Sequence, residues 1–97
     1  MATPKPISEQ LDALAPALRD AVEAWMQKRK QKKNPVSERG LALNLTKLER
    51  LAPGNEAHQI DIVDSCEDKG WSGIYISRDV EEKWAEIARQ NRPEVHR

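Results

Sequence analysis

The sequence predicts an all-α protein, a compact bundle of four to five short helices with a Gly-Trp-x-Gly loop. Three observations predict it. Apolar residues recur three and four apart in successive stretches, the period of a helix with one buried face. Helix stop and start signals separate those stretches, at Asn34-Pro35-Val36-Ser37, at Pro53-Gly54-Asn55 and at Gly70. The composition, 38% hydrophobic and 33% charged, suits a small helical domain. At 97 residues the chain is one domain at most, large enough for a single core.

Each element follows from local signals. Residues 1–7 contain two prolines and little to bury, and are expected as a flexible leader. Ser8 is placed to cap a short helical turn reaching Leu14, and Pro16 suits the first turn of a longer helix. There Leu18, Val22, Trp25 and Met26 form a stripe that Leu11 and Leu14 extend backward. Past Met26 the chain turns polar, either a solvated helical extension or a frayed end, until Asn34-Pro35 stops it. The residue before proline avoids the helical region.

Ser37 is the next N-cap, with Glu38 favourable to the helix dipole. Leu41, Leu45, Leu48 and Ala52 make one face of this helix, and Lys47 and Arg50 lie on its polar side. Asn55 caps a further helix whose Ile60, Val63 and Cys66 share a face, and Gly70 is its left-handed terminator. Residues 71–76 are a loop or a brief extended piece. Ser77 caps a last helix with Val80, Trp84, Ile87 and Ala88 inside, ended before Pro93. A single domain over residues 8–92 with a tail over 93–97 is the expected organisation.

The composition also excludes functions. No apolar run approaches the ~20 residues a membrane span needs, and there is no signal-peptide pattern. A lone cysteine fits a reducing compartment, so the expected location is cytoplasmic. His58 and His96 lie far apart, and no Cys-x-x-Cys or His-x-x-x-His spacing offers a metal site. Cys66 sits on an apolar face with His58 two turns away, and no glycine-rich phosphate loop is present. The expectation is a protein with no cofactor and no catalytic residues.

The net charge is zero, but its distribution is uneven. Residues 19–50 carry nine Lys/Arg against four Asp/Glu, and residues 51–82 carry two against eight. Either the protein has a basic and an acidic face, or the halves neutralise each other on folding. The basic half contains Lys28, Arg29, Lys30, Lys32 and Lys33 within six residues. Such a run either complements a helix C-terminus or grips phosphates. Arg39, Lys47 and Arg50 extend the patch if the two helices pack antiparallel.

Trp25 and Trp84 fall on apolar stripes and read as core. Trp71 stands between Gly70 and Gly73, so its indole either meets a base or folds back as a plug. In a chain without Phe the plug is favoured, and Tyr75 is the better exposed ring.

The basic helix, then Ser37-Glu38-Arg39-Gly40-Leu41, Leu45 and Leu48, then Ser65 and Gly70-Trp71-Ser72-Gly73-Ile74-Tyr75, resembles a known pattern. It is similar to the C-terminal module of phage and prophage replisome-organiser proteins of the DnaD/DnaT-like group, over residues 20–76. That resemblance implies a small helical domain that binds single-stranded DNA and contacts a replicative helicase or its loader. The candidate DNA-binding residues are Lys28, Arg29, Lys30, Lys32, Lys33, Arg39, Lys47, Trp71 and Tyr75. The alternative is a small phage-encoded interaction or inhibitor protein whose acidic half, with Asp61, Asp64, Glu67 and Asp68, occupies a host nucleic-acid-binding protein. Homodimerisation through Val80, Trp84 and Ile87 is a further expectation.

Overall fold

Five helices follow one another in the computed structural model, which describes residues 4–90: α1 (Ile7–Asp12), α2 (Pro16–Gln31), α3 (Glu38–Leu51), α4 (Glu56–Lys69) and α5 (Arg78–Gln90). The tail 93–97, with His96, and the first three residues of the leader lie outside the described residues. The fold is all-helical, as the periodicity implies, and no strand forms among the described residues. No helix among them is long and apolar enough to cross a membrane.

The capping signals act where the sequence places them. The Ser37 hydroxyl accepts from the Gly40 N–H, and the Asn55 side chain from that of His58. Ser77 accepts from the Val80 N–H at the head of α5. Gly70 adopts φ 71°, left-handed, and the Trp71 N–H closes back onto the Cys66 carbonyl.

Four local expectations need correcting. Ser8 does not cap α1: that helix starts at Ile7 behind Pro6, with no side-chain cap. The leader is therefore shorter than seven residues, since Ile7 is helical and packs on the core, while Gln10 ties α1 to the carbonyls of Lys5 and Glu38. On α4 the buried residues include Ile62 and Gln59, whereas Ile60 is half-buried. Gln59 tolerates burial because its amide donates to Glu49 and to the Ala52 carbonyl. On α5, Ala88 is exposed and Trp84 and Ile87 are half-buried. That helix rests on α4 with only the near edge of its stripe enclosed.

The layout is set by α2 and α4, the most extensively packed pair. They run parallel: Leu18 near the start of α2 lies by Glu56 and Gln59, and Lys32 past its end reaches Gly70 past the end of α4. The connecting α3 packs against α1 and α4 and not against α2, so the condition under which Arg39, Lys47 and Arg50 would extend the lysine run, an antiparallel α2–α3 pair, is not met. Trp25, Leu41, Ile62, Val63 and Cys66, each no more than 1% exposed, meet in one core.

The α4–α5 joint has a specific chemistry. The His58 and Trp84 rings stack at 4.8 Å, and the Asp61 carboxylate accepts from both Trp84 Nε1 and Lys83 Nζ at 2.7 Å. Burial pushes the His58 pKa below its ordinary value of 6.5, against the pull of Asp61, and His58 Nε2 is buried without a partner. Burial alone would raise the Asp61 pKa, but the bonds from Lys83 and Trp84 outweigh it and hold the carboxyl low. The unfolded chain thus binds a proton at His58 more readily than the fold does. Stability is expected to be full above pH about 6.5 and to fall as pH drops below it, with a further loss below pH about 4 as Asp61 protonates. Denaturation midpoints between pH 7 and 5 check this, and H58F should abolish the upper of the two losses.

Candidate nucleic-acid interface

Because α2 and α4 run parallel, both carbonyl ends point to one end of the molecule. There the lysine run of α2 meets the 71–76 loop. All of residues 28–31 are helical, so the polar run is a helical extension and not a frayed end. The helix then closes with the Asn34 N–H on the Arg29 carbonyl at 2.9 Å and the Lys33 N–H on the Lys30 carbonyl at 3.0 Å. This is a Schellman closure, and it puts Lys33 at φ 59°, a position that usually holds glycine.

Two of the five cations have structural duties. Lys32 donates to the Gly70 carbonyl at 2.9 Å, a cation placed on the negative end of the neighbouring helix. Arg29 donates to the Asn34 carbonyl and side chain and lies over the Trp25 ring. Lys28 is half-buried, Lys33 is exposed, and Lys30 faces a groove toward α1 with Met26, Leu11 and Val36. Among the described residues no carboxylate forms an ion pair with any of the five. The two halves of the chain therefore pack together without their opposite charges pairing at this end.

The loop is irregular in backbone but held at many points. Trp25 Nε1 donates to the Trp71 carbonyl at 3.0 Å, and Asn34 Nδ2 to the Ser72 hydroxyl at 3.2 Å. The Ile74 N–H donates to Asn44 Oδ1, and Asn44 Nδ2 donates to the Gly40 carbonyl. The Cys66 thiol donates to the Tyr75 carbonyl and accepts from the Tyr75 N–H. Burial pushes that thiol's pKa up, so Cys66 is a neutral clip for the loop.

Two aromatic rings result from this arrangement. Ile74 turns into the core, and Trp71 is half-buried against it, a partial plug. Tyr75 is 54% exposed, as its glycine-rich context implies. The two rings meet edge to face at 6.2 Å. Lys47, from the middle of α3, sits 3.5 Å from the Tyr75 ring centre, and Lys69 stands 5.9 Å from that of Trp71.

Of the candidate DNA-binding residues, Arg29, Lys32, Lys47, Trp71 and Tyr75 are brought together by these links, and Lys28 and Lys33 adjoin Arg29 and Lys32 in sequence at the end of α2. Lys30 lies toward α1. Arg39 is exposed in the first turn of α3, and no contact ties it to the loop. Lys69, Asn34 and Asn44 join the site although the sequence reading passed over them. Asn34 signals a helix stop and nothing local marks Asn44, because their side-chain partners lie 38 and 30 residues away.

The acidic candidates divide. Asp61 is occupied by Lys83 and Trp84, while Asp64, Glu67 and Asp68 have no cation partner among the described residues. Burial, then the nearby charges of Asp61 and Glu67, raise the Asp64 pKa. The residues expected as a dimer seam face inward in part: Val80 is buried, and Trp84 packs on His58.

The family model of the YdaU C-terminal domain matches residues 12–94. No curated protein and no solved structure matches the chain. The family match takes in all of α2 to α5, including the basic end and its aromatic loop. On that extent, the chain belongs to the YdaU C-terminal domain family, a phage- and prophage-associated family.

Proposed function

We propose that this domain is a non-catalytic, single-stranded DNA-binding module of the phage replication-initiation type, working beside a replicative helicase or its loader. The observation that carries the proposal is the meeting of unpaired cations with two partly exposed, rigidly held aromatic rings at one end of the bundle. Such rings stack on bases that are not paired, while the cations neutralise phosphates. The replication role rests on the order of motifs described above, and the phage association of the family agrees with it.

Lys33 adds weight. A non-glycine residue in the left-handed region costs about 1 kcal/mol, and glycine would remove that cost. The Lys33 side chain is exposed there, with no carboxylate partner among the described residues, where it can meet a phosphate. Lys33→Gly is expected to raise stability by roughly 0.5–1 kcal/mol and to weaken strand binding. Opposite signs in the two measurements separate the functional from the structural role.

The direct test is anisotropy of a labelled strand of ~30 nucleotides titrated at several salt concentrations. Neutralising Lys28, Lys33 and Lys69 together removes charges that make no hydrogen bond within the fold. The log–log salt slope should fall by about 2, at roughly 0.7 per phosphate, with affinity reduced for every sequence. Unchanged affinity and slope would remove the proposal. One observation favours the second reading, in which the acidic face binds a nucleic-acid-binding protein. Asp64, Glu67 and Asp68 lie together on α4 without cations, and like charges left together cost stability unless a partner meets them.

A further inference from the structure

We propose that the notch between Trp71 and Tyr75 is a seat for one unpaired nucleobase, an inference that rests on the strand-binding reading and makes it more specific. The notch is a shallow depression, open to solvent, lined by Trp71, Ser72, Gly73 and Tyr75, with a volume of about 290 Å³. Small-molecule sites begin near about 300 Å³, so it holds one ring system and no more.

Its chemistry fits a base. The two rings stand at 78° to each other, giving the entering plane one face to stack on and one edge to touch. Gly73 lines the notch beside the Tyr75 ring: a Cβ there would lie 2.7 Å from that ring, so any side chain would displace it from its present position. Lys47 and Lys69 lie close to the two rings and are not among the lining residues. The interior is therefore uncharged, while ammonium groups stand outside it. A nucleobase is an uncharged aromatic plane carried between two phosphates, and this arrangement of charge matches it.

The seat is also formed before binding. Tyr75 has both backbone groups bonded to Cys66, the Trp71 carbonyl is held by Trp25, and Ser72 by Asn34. Little ordering then remains to oppose stacking. An exposed loop tied at so many points, yet presenting a tyrosine ring to solvent, has its rigidity explained by a ligand that needs the ring in place.

The test compares two labelled strands of equal length with the full chain at fixed salt. One is thymidine-only, and the other carries the same phosphates with abasic sugars. Stacking of one base should make the thymidine strand about tenfold tighter. Tyr75→Leu should erase that difference, bringing the thymidine strand down to the affinity of the abasic one, and the exposed ring can be removed without opening the core. Gly73→Ala should reduce the difference with Tyr75 still present. Equal binding of the two strands by the unaltered protein would overturn the seat and leave the phosphate grip intact. No binding of either strand would remove the strand-binding reading, and the seat with it.

Discussion

Replacing Trp25 by alanine is expected to cost about 3–5 kcal/mol of stability, a large part of the ~5–15 kcal/mol that holds a domain of this size folded. The indole is 1% exposed and is among the largest side chains in the core between α2 and α4. It also donates to the Trp71 carbonyl and carries Arg29 over its face. Chemical denaturation should show a sharply lowered midpoint. Trp25→Phe keeps most of the apolar area and loses the donor. It is expected to cost less, while freeing the first residue of the loop and weakening strand binding more than its stability loss accounts for. A Trp25→Ala variant that denatures like the parent would contradict the packing described for α2 and α4.

The second large effect is expected at Asn44, which carries no charge and touches no proposed ligand. Its side chain is the link between α3 and the loop, accepting from the Ile74 N–H and donating to the Gly40 carbonyl. Ile74 is 2% exposed, so Asn44→Ala leaves a backbone donor without a partner beside the core. That costs about 1–3 kcal/mol, or roughly 10 °C in Tm for a domain this small. The loop loses its central tether, and hydrogen exchange should quicken at Ile74 and Tyr75 before it does in α2 or α4. If exchange at the loop is unaltered, the preformed seat for a base is wrongly attributed to these bonds.

The proposed site was partly legible. Lys28 to Lys33, Trp71 and Tyr75 were readable because a charge run and a ring beside glycine are local features. Whether the five cations were free was not readable, since Lys32 is taken up by a carbonyl 38 residues on. Lys69 was not readable as part of the site, since in sequence it is one cation after Asp64, Glu67 and Asp68. It matters because parallel packing brings the end of α4 beside the end of α2.

What the sequence by itself determined is the helices and their ends. Ser37, Asn55, Gly70 and Ser77 act on backbone groups within five residues of themselves, and such signals work wherever the helix is later placed. The apolar spacing likewise determined that α2 and α3 would each bury a stripe. The tertiary structure alone decided that α2 lies parallel to α4, that Asp61 anchors Trp84 and that Lys47 covers Tyr75. Periodicity states that a face is buried without stating against what. The choice of partner depends on how all five stripes fill one volume together, a property of the assembled core and of no segment alone.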